Sequence, residues 1–244
     1  MRLPTGAMII LPRQSQSATE VYVTHANVDW GAEALFARFA DRDRDFIDIG
    51  AHIGYYSVYL SPCVRRSYAF EPDPRNLPGL RANAVLAGNI EIVPMAASSR
   101  VGVARLHVGH GSAISSLEGE DHGATIDVPI TTIDAFLAAH PGVDVALIKT
   151  DIEGHDVEAL RGMRETVALH HPLILTECHN ETELPNICSG WGYTIYAFTR
   201  HHVTLKTDFQ RMSPEDLRER WYKMVFLVPR RLDAAFAEIA RPHS

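Results

Sequence analysis

The stretch Phe46-Ile-Asp-Ile-Gly-Ala-His-Ile-Gly54 decides how this chain is read. Phe46 to Ile49 has the apolar density of a short buried strand. It breaks at the turn from Gly50 to Gly54, and an amphipathic run from Tyr55 to Leu60 follows and stops at Ser61-Pro62. A strand that enters a glycine turn and opens a helix lets the backbone approach a ligand closely and offers it free amides. The G-x-G-x-x-G pattern of dinucleotide sites is missing, because Ala51 and His52 stand between the only two glycines, Gly50 and Gly54. An acid, Asp48, ahead of the first glycine suits a ligand with cationic character.

Outward from this stretch, strands and helices alternate. Ser67 to Phe70 is the next strand and ends in Glu71-Pro72-Asp73-Pro74, where Pro72 biases Glu71 toward an extended conformation. Arg75 to Ala87 has helical spacing and stops at Gly88-Asn89, and Ile90 to Val93 is a third strand. Residues 98–132 break the rhythm, and their alternating runs Val103 to Val108 and Thr125 to Ile130 predict an inserted antiparallel hairpin. The alternation then resumes with a helix over 133–139, a near-continuous apolar strand over 143–149, a helix over 156–163 and a strand over 173–176. Tyr193 to Phe198 and Lys223 to Val228 complete the pattern as an antiparallel edge. Between them Ser213-Pro-Glu-Asp216 is a helix start with a Ser cap and acids in the first turn. Gly31 to Phe39 is a further helix ahead of the first strand, and residues 1–18 are read as loosely ordered. This is an α/β, doubly wound, mostly parallel sheet with crossover helices. The expected division is an N-terminal segment 1–44 that helps to shape an acceptor pocket, a core domain 45–230, and a C-terminal tail 231–244.

Ligands bind such sheets at the carboxyl ends of the strands, and the unusual polar residues gather there: Asp48, Glu71, Asp151, Glu177 and His179. Glu71 follows Asp48 by 23 positions, the distance at which an acid accepts hydrogen bonds from ribose hydroxyls in this architecture. In Ile148-Lys-Thr-Asp-Ile-Glu-Gly-His-Asp156 ionisable residues crowd the turn after an apolar strand. Glu177 and His179, two apart on an extended segment, are expected on one side. Asp151 and His179, with His155 behind them, are the candidates for a proton acceptor. Lys149 and Glu153 are read as supporting residues that hold the turn. The alternative for His179 is a structural partner of Glu177. Asp151, His155, Glu177 and His179 include metal-ligand types, but their spacing matches no dedicated metal motif, so no metal is assigned.

The quoted blocks resemble the FkbM-type methyltransferases, a class I group dependent on S-adenosylmethionine. The blocks that carry the resemblance are DIGAHIG at 48–54, FEPDP at 70–74, IEIVPMAAS at 90–98, TTIDAFL at 131–137, IKTDIEGHDVEALRGM at 148–163 and LILTECH at 173–179. The similarity covers roughly residues 45–180. It implies a Rossmann-like, seven-stranded methyltransferase sheet with S-adenosylmethionine as cofactor. It also implies that Asp48, Gly50, Ala51, His52 and Gly54 line the methionine moiety and ribose, and that Glu71, beside Pro72, binds the ribose hydroxyls. By the same resemblance Ala96 and Ala97 sit near the adenine or the methionyl arm, Ser115 and Ser116 match a serine-containing stretch of the family's insertion, and Asp151 faces the cofactor. His52 departs from the family, which more often has Asn there; both side chains donate hydrogen bonds.

The remaining composition limits the partners. The formal net charge is −7, and the basic pairs Arg65-Arg66 and Arg230-Arg231 are too short to form a nucleic-acid stripe. No apolar run approaches the length of a membrane span, so neither a nucleic acid nor a membrane is an expected partner. Cys63, Cys178 and Cys188 form no CxxC pair and fit a reducing, cytoplasmic setting. Trp30, Trp191 and Trp221 lie outside the matched blocks and either pack the core or wall an acceptor pocket. The expected function is methylation of a hydroxyl on a small-molecule acceptor such as a sugar or polyketide. The competing readings are an NAD(P)-dependent oxidoreductase and a non-catalytic nucleotide-binding protein on the same fold.

Overall fold

A computed structural model describes residues 1–13, 15–108, 115–116, 124–152 and 154–241; the side chains of Val108, Ser115, Ser116 and Ala124 lie outside that description. The strands are β1 (Asp45–Ile49), β2 (Ser67–Phe70), β3 (Ile90–Val93), β4 (Ala96–Ala97), β5 (Gly102–Val108), β6 (Ser115–Ser116), β7 (Ala124–Thr131), β8 (Val145–Thr150), β9 (Leu173–Thr176), β10 (Tyr193–Arg200), β11 (Thr207–Arg211) and β12 (Trp221–Pro229). The helices are α1 (Gln16–Val23), α2 (Ala32–Arg38), α3 (Tyr55–Leu60), α4 (Leu77–Ala87), α5 (Ile133–Ala139), α6 (Asp156–Arg161), α7 (Arg164–His170), α8 (Glu183–Trp191), α9 (Pro214–Glu219) and α10 (Arg230–Ile239).

The main sheet has eight strands in the order β11-β10-β12-β9-β8-β1-β2-β3. From β3 to β9 every neighbouring pair is parallel, while β12, β10 and β11 are antiparallel to their neighbours. The chain winds outward from β1 to β3, returns, and winds the other way from β8 to β9. The crevice between β1 and β8 is therefore the switch point. The expected doubly wound sheet with an antiparallel edge is present with one strand more, β11. The only large apolar residue of Thr207-Asp-Phe-Gln-Arg211 is Phe209, too sparse an alternation to announce a strand. The inserted hairpin is also present, as β5 paired antiparallel with β7 inside a second four-stranded sheet, β4-β7-β5-β6.

The side-chain period of two divides the core. Ile47, Ile49, Ile148, Ile174, Val225 and Leu227 face α5 to α9. Phe46, Leu147, Leu173, Leu175, Met224 and Phe226 face α1, α2, α3 and α10. Asp48 pairs in register with Lys149, so both point to the α3 side at the ends of otherwise apolar stripes.

The N-terminal residues are docked rather than loose. The Met1 ammonium donates to Ile9 O at 2.8 Å, Asn83 Nδ2 and Oδ1 bond Ile10 O and N, and Leu3 and Ile9 are buried. In the segment read as a tail, α10 places Phe236, fully buried, against the sheet. Among the described residues no helix is long and apolar enough to cross a membrane.

Candidate active site

A cavity of ≈ 350 Å³ opens at the switch point, within the range of small-ligand sites. Its floor is the β1 turn. Gly50 N and Ala51 N both donate to Phe70 O at 3.0 Å, which folds the turn over the end of β2. Gly50 has φ +75, and a Cβ there would stand 2.1 Å from Asp151 O, so only glycine lets the β1 and β8 turns approach this closely.

Charge is concentrated on this floor. Lys149, 4% exposed, donates from Nζ to Gly50 O at 3.1 Å and lies 3.2 Å from Asp151 Oδ2 and 3.9 Å from Asp48 Oδ1. Desolvation opposes its charge, but the two carboxylates outweigh it and its pKa is raised. Asp151 is pulled below the usual carboxylate range, since Lys149 and Glu177 offset its desolvation. Asp48, fully buried, is pushed up by desolvation against the pull of Lys149. Its Oδ2 accepts from Ser57 N at 3.0 Å and Ser57 Oγ at 2.6 Å, whereas Oδ1 is buried with no hydrogen-bond donor. That unsatisfied acceptor on the cavity wall fits a ligand bringing a positive charge or a donor.

Glu71 is held across from it. Its Oε2 accepts from His52 N at 2.7 Å and its Oε1 from Asp73 N at 2.8 Å. Both oxygens are fixed by backbone amides and keep lone pairs for a diol. Burial raises its pKa, although these amide bonds lower it. His52 itself has φ +52, a conformation that Asn adopts readily. Burial, and secondly Lys149, lowers its pKa to about 4, so its ring is neutral at physiological pH.

Eleven of the residues singled out in the sequence meet at this cavity: Asp48, Gly50, Ala51, His52, Glu71, Pro72, Ala96, Ala97, Lys149, Asp151 and Glu177. Gly54 caps α3 and donates to Ala51 O at 2.7 Å, behind the cavity wall. Ser115 and Ser116 pair with Val108 and His107, but their side chains lie outside the described residues, as does Glu153. Two nominated bases lie elsewhere. His155 sits before α6, and its Nε2 is 3.0 Å from Ser98 Oγ, in a separate groove beside the β5–β7 hairpin. His179 is exposed, 5.2 Å from the Tyr222 ring, while Glu177 lines the cavity. The two part because β9 ends at Thr176, whose Oγ1 accepts from Cys178 N at 3.1 Å and curls the chain out of the extended state. Among the described residues no group of three His, Cys, Asp or Glu is arranged to hold a metal ion.

The structure adds residues that no motif marked. Gln16, Ser17, Glu20, Val28 and Asp29 line the cavity together with Lys223 and Met224 of β12. Lys223 Nζ bonds Glu20 Oε1 at 2.7 Å and Val28 O at 3.0 Å, tying the N-terminal segment to the sheet. Leu106 of the hairpin closes the opposite end. Trp30 is buried and stands edge-on to the exposed Trp221 at 5.0 Å, and neither lines the cavity.

A family profile described as the methyltransferase FkbM domain matches residues 48–212. Curated proteins give no match. Among solved structures, the chain is similar to the FkbM methyltransferase of Methylobacillus flagellatus at 17% identity and TM-score 0.49, over 87% of this chain and 54% of that one. It thus spans about half the length of that protein. It is also similar to the precorrin-6y C5,15-methyltransferase of Geobacter metallireducens at 14% identity and TM-score 0.44, over 90% and 91% of the two chains. A third is TrmK of M. capricolum in complex with S-adenosylhomocysteine, at 11% identity and TM-score 0.41, over 81% and 67%. With its profile match running from within β1 to just past β11, the chain belongs to the FkbM methyltransferase family.

Proposed function

We propose that this protein transfers the methyl group of S-adenosylmethionine to a hydroxyl of a small, uncharged acceptor. The observation that carries the reading is the pairing, across one cavity, of an unsatisfied buried carboxylate oxygen on Asp48 with the amide-fixed carboxylate of Glu71. The first suits the cationic methionine end of the cofactor and the second its ribose hydroxyls. Gly50, Ala51 and His52 would flank the ribose and methionine arm, and Pro72, Ala96, Ala97 and Leu106 the base. Asp151 and Lys149 shape the middle of the site as a bonded pair. Bound cofactor supplies an activated methyl on a sulfonium that needs no metal or acid to leave.

The protein's own share is alignment and exclusion of water. Positioning of this kind contributes roughly 7–11 kcal/mol in favourable cases. Gln16, Ser17, Glu20, Val28 and Asp29 line the cavity, which supports an acceptor-shaping role for the N-terminal segment 1–44. Its carboxylates repel a polyanion, which favours a small neutral acceptor over RNA. The family's chemistry disfavours the oxidoreductase reading, and the turn lacks its glycine pattern.

Calorimetric titration tests the reading. The protein should bind S-adenosylmethionine at micromolar Kd and show no heat with NAD⁺. Gly50→Ala should weaken the cofactor by at least about tenfold, because the new methyl must displace the Asp151 carbonyl. Binding of NAD⁺ alone would refute it.

A further inference from the structure

We infer that Asp29 is the group that takes the proton from the acceptor hydroxyl. The inference rests on the proposed O-methylation and assigns its base to a residue outside every motif of the chain.

Asp29 stands where a base has to stand. The cofactor residues Glu71, Pro72 and Ala97 lie on the β2 and β4 side of the switch point. Asp29 lines the cavity on the other side, with Lys223 and Met224 of β12. Between the two ends lie Lys149 and Asp151, the turn where β1 and β8 meet. A nucleophile bound between the two ends would have Asp29 on one side and the cofactor end on the other.

The carboxylate is held for one task. Tyr56 OH donates to Oδ2 at 2.6 Å, and Asp29 N donates to Glu33 Oε1 at 2.9 Å. Oδ1 makes no hydrogen bond among the described residues, and Asp29 lines the cavity. The backbone is also constrained. Lys223 grips Val28 O at 3.0 Å, and the next residue, Trp30, is a bulky side chain at φ +59, clamped by the Arg200 guanidinium 4.3 Å over its ring. Left-handed backbone at a bulky residue is strained and persists where the surrounding packing enforces it, commonly at functional sites.

The electrostatics match the task. The charged groups around Asp29 are Glu33 of α2, Asp151 after β8, and Lys223 of β12, with Lys149 beyond Tyr56. Desolvation first, then Glu33, raises the Asp29 pKa to about 7, against the pull of Tyr56 and Lys223. A base near the working pH has the best balance of free base and proton affinity. His52, at about 4, lacks the proton affinity. As the acceptor oxygen forms its bond to the methyl carbon, its O–H bond breaks and the proton passes to Asp29 Oδ1. The electron pair of the methyl–sulfur bond remains on sulfur, and the neutral carboxylic acid later releases its proton to water.

The test compares wild type with Asp29→Asn, an isosteric change that keeps an acceptor for Tyr56. With carboxyl-¹³C aspartate, one resonance titrating near pH 7 should vanish in the variant, and the others should be unmoved. Calorimetry should give both proteins the same S-adenosylmethionine affinity within about threefold. With radiolabelled S-adenosylmethionine and a panel of methyl hexosides as acceptors, kcat should fall by at least ~100-fold with KM little changed, and the rise in rate between pH 6 and 8 should disappear. A variant with kcat within threefold of wild type and an unchanged pH profile overturns the inference. So does an Asp29 resonance with a midpoint below 5, which decides the matter even if no hexoside is methylated. Failure of both proteins to bind S-adenosylmethionine refutes the proposed function instead.

Discussion

His52 illustrates how much chemistry a single position in the β1 turn carries. Its amide fixes Glu71, while its ring is half-buried beside Lys149 and kept neutral. The linkage to stability follows. The folded-state pKa of about 4 lies below the ordinary 6.5, so between these values the unfolded chain binds more protons than the native one. The contribution of His52 is full above about pH 6.5 and is lost as pH falls toward 4. His52→Asn, which keeps the left-handed backbone accessible, should remove this term. In chemical denaturation at pH 4.5 the variant should exceed wild type by about 1–2 kcal/mol relative to the difference at pH 7.5. Equal differences at the two pH values would show that the ring is not desolvated. The amide bond to Glu71 should survive, since it belongs to the backbone.

At the scale of elements, the segment Leu160-Arg-Gly-Met163 shows why a short motif is tied to this fold. Gly162 closes α6 at an ordinary φ of −81, so conformation does not demand glycine there. Space does. A Cβ would lie 2.0 Å from Ser98 O, the carbonyl that follows β4. Gly162 O also accepts from Asp134 N at 3.1 Å, at the start of α5. Three elements thus meet at one residue without a side chain, and they hold β4, whose Ala96 and Ala97 line the cavity. Gly162→Ala should cost at least about 1–3 kcal/mol through overpacking and should also weaken cofactor binding, as read by denaturant midpoint and calorimetry. A loss of stability with unchanged cofactor affinity would mean that β4 does not transmit the strain. Asp156 makes a comparable junction, accepting from Thr150 Oγ1 at 2.7 Å and Thr176 Oγ1 at 3.4 Å, which binds the ends of β8 and β9 to the first turn of α6. The sequence marks this turn through its crowd of ionisable residues, but not which of them face the ligand and which face the core.

Across the whole molecule, the terminal segments complete the α3 face of the sheet. Phe236 of α10 is fully buried and stacks on Phe39 at 4.8 Å, with Tyr196, Phe209 and Phe226 within 6.0 Å. The same layer holds Val21 of α1 and Phe36 of α2. The cavity wall that the N-terminal segment forms therefore rests on a core shared with α10. Phe236→Ala should lower stability by about 3–5 kcal/mol in denaturant unfolding. Because α10 lies away from the β1 and β8 turns, cofactor affinity in the folded variant should stay within a few-fold of wild type. A large loss of affinity with little loss of stability would indicate that the two ends of the chain act on the site directly.

The sequence by itself determined the parallel sheet, the inserted hairpin and the polar strand ends that line the cavity, because each depends on information carried within a few residues. Phe46 to Ile49, Ser67 to Phe70 and Val145 to Ile148 are runs that only a sheet covered on both faces buries, and the polar residues at or just past their ends, Asp48, Glu71 and Asp151, sit at the carboxyl edge. Tertiary structure alone decided the end of the cavity that Val28, Asp29 and Lys223 line. Val28 and Lys223 meet only because β12 inserts between β9 and β10 and because α1 and α2 lie over β12 and β1. No local period records such a juxtaposition. It also decided among the histidines: a curl after Thr176 turns His179 to solvent, and the approach of Ser98 turns His155 into a second groove. Asp29 has no motif at all. Its environment is made by Glu33, Tyr56 and Lys223, brought together by packing from three separate elements, and a pKa set by burial and neighbours exists only once those elements have closed around it.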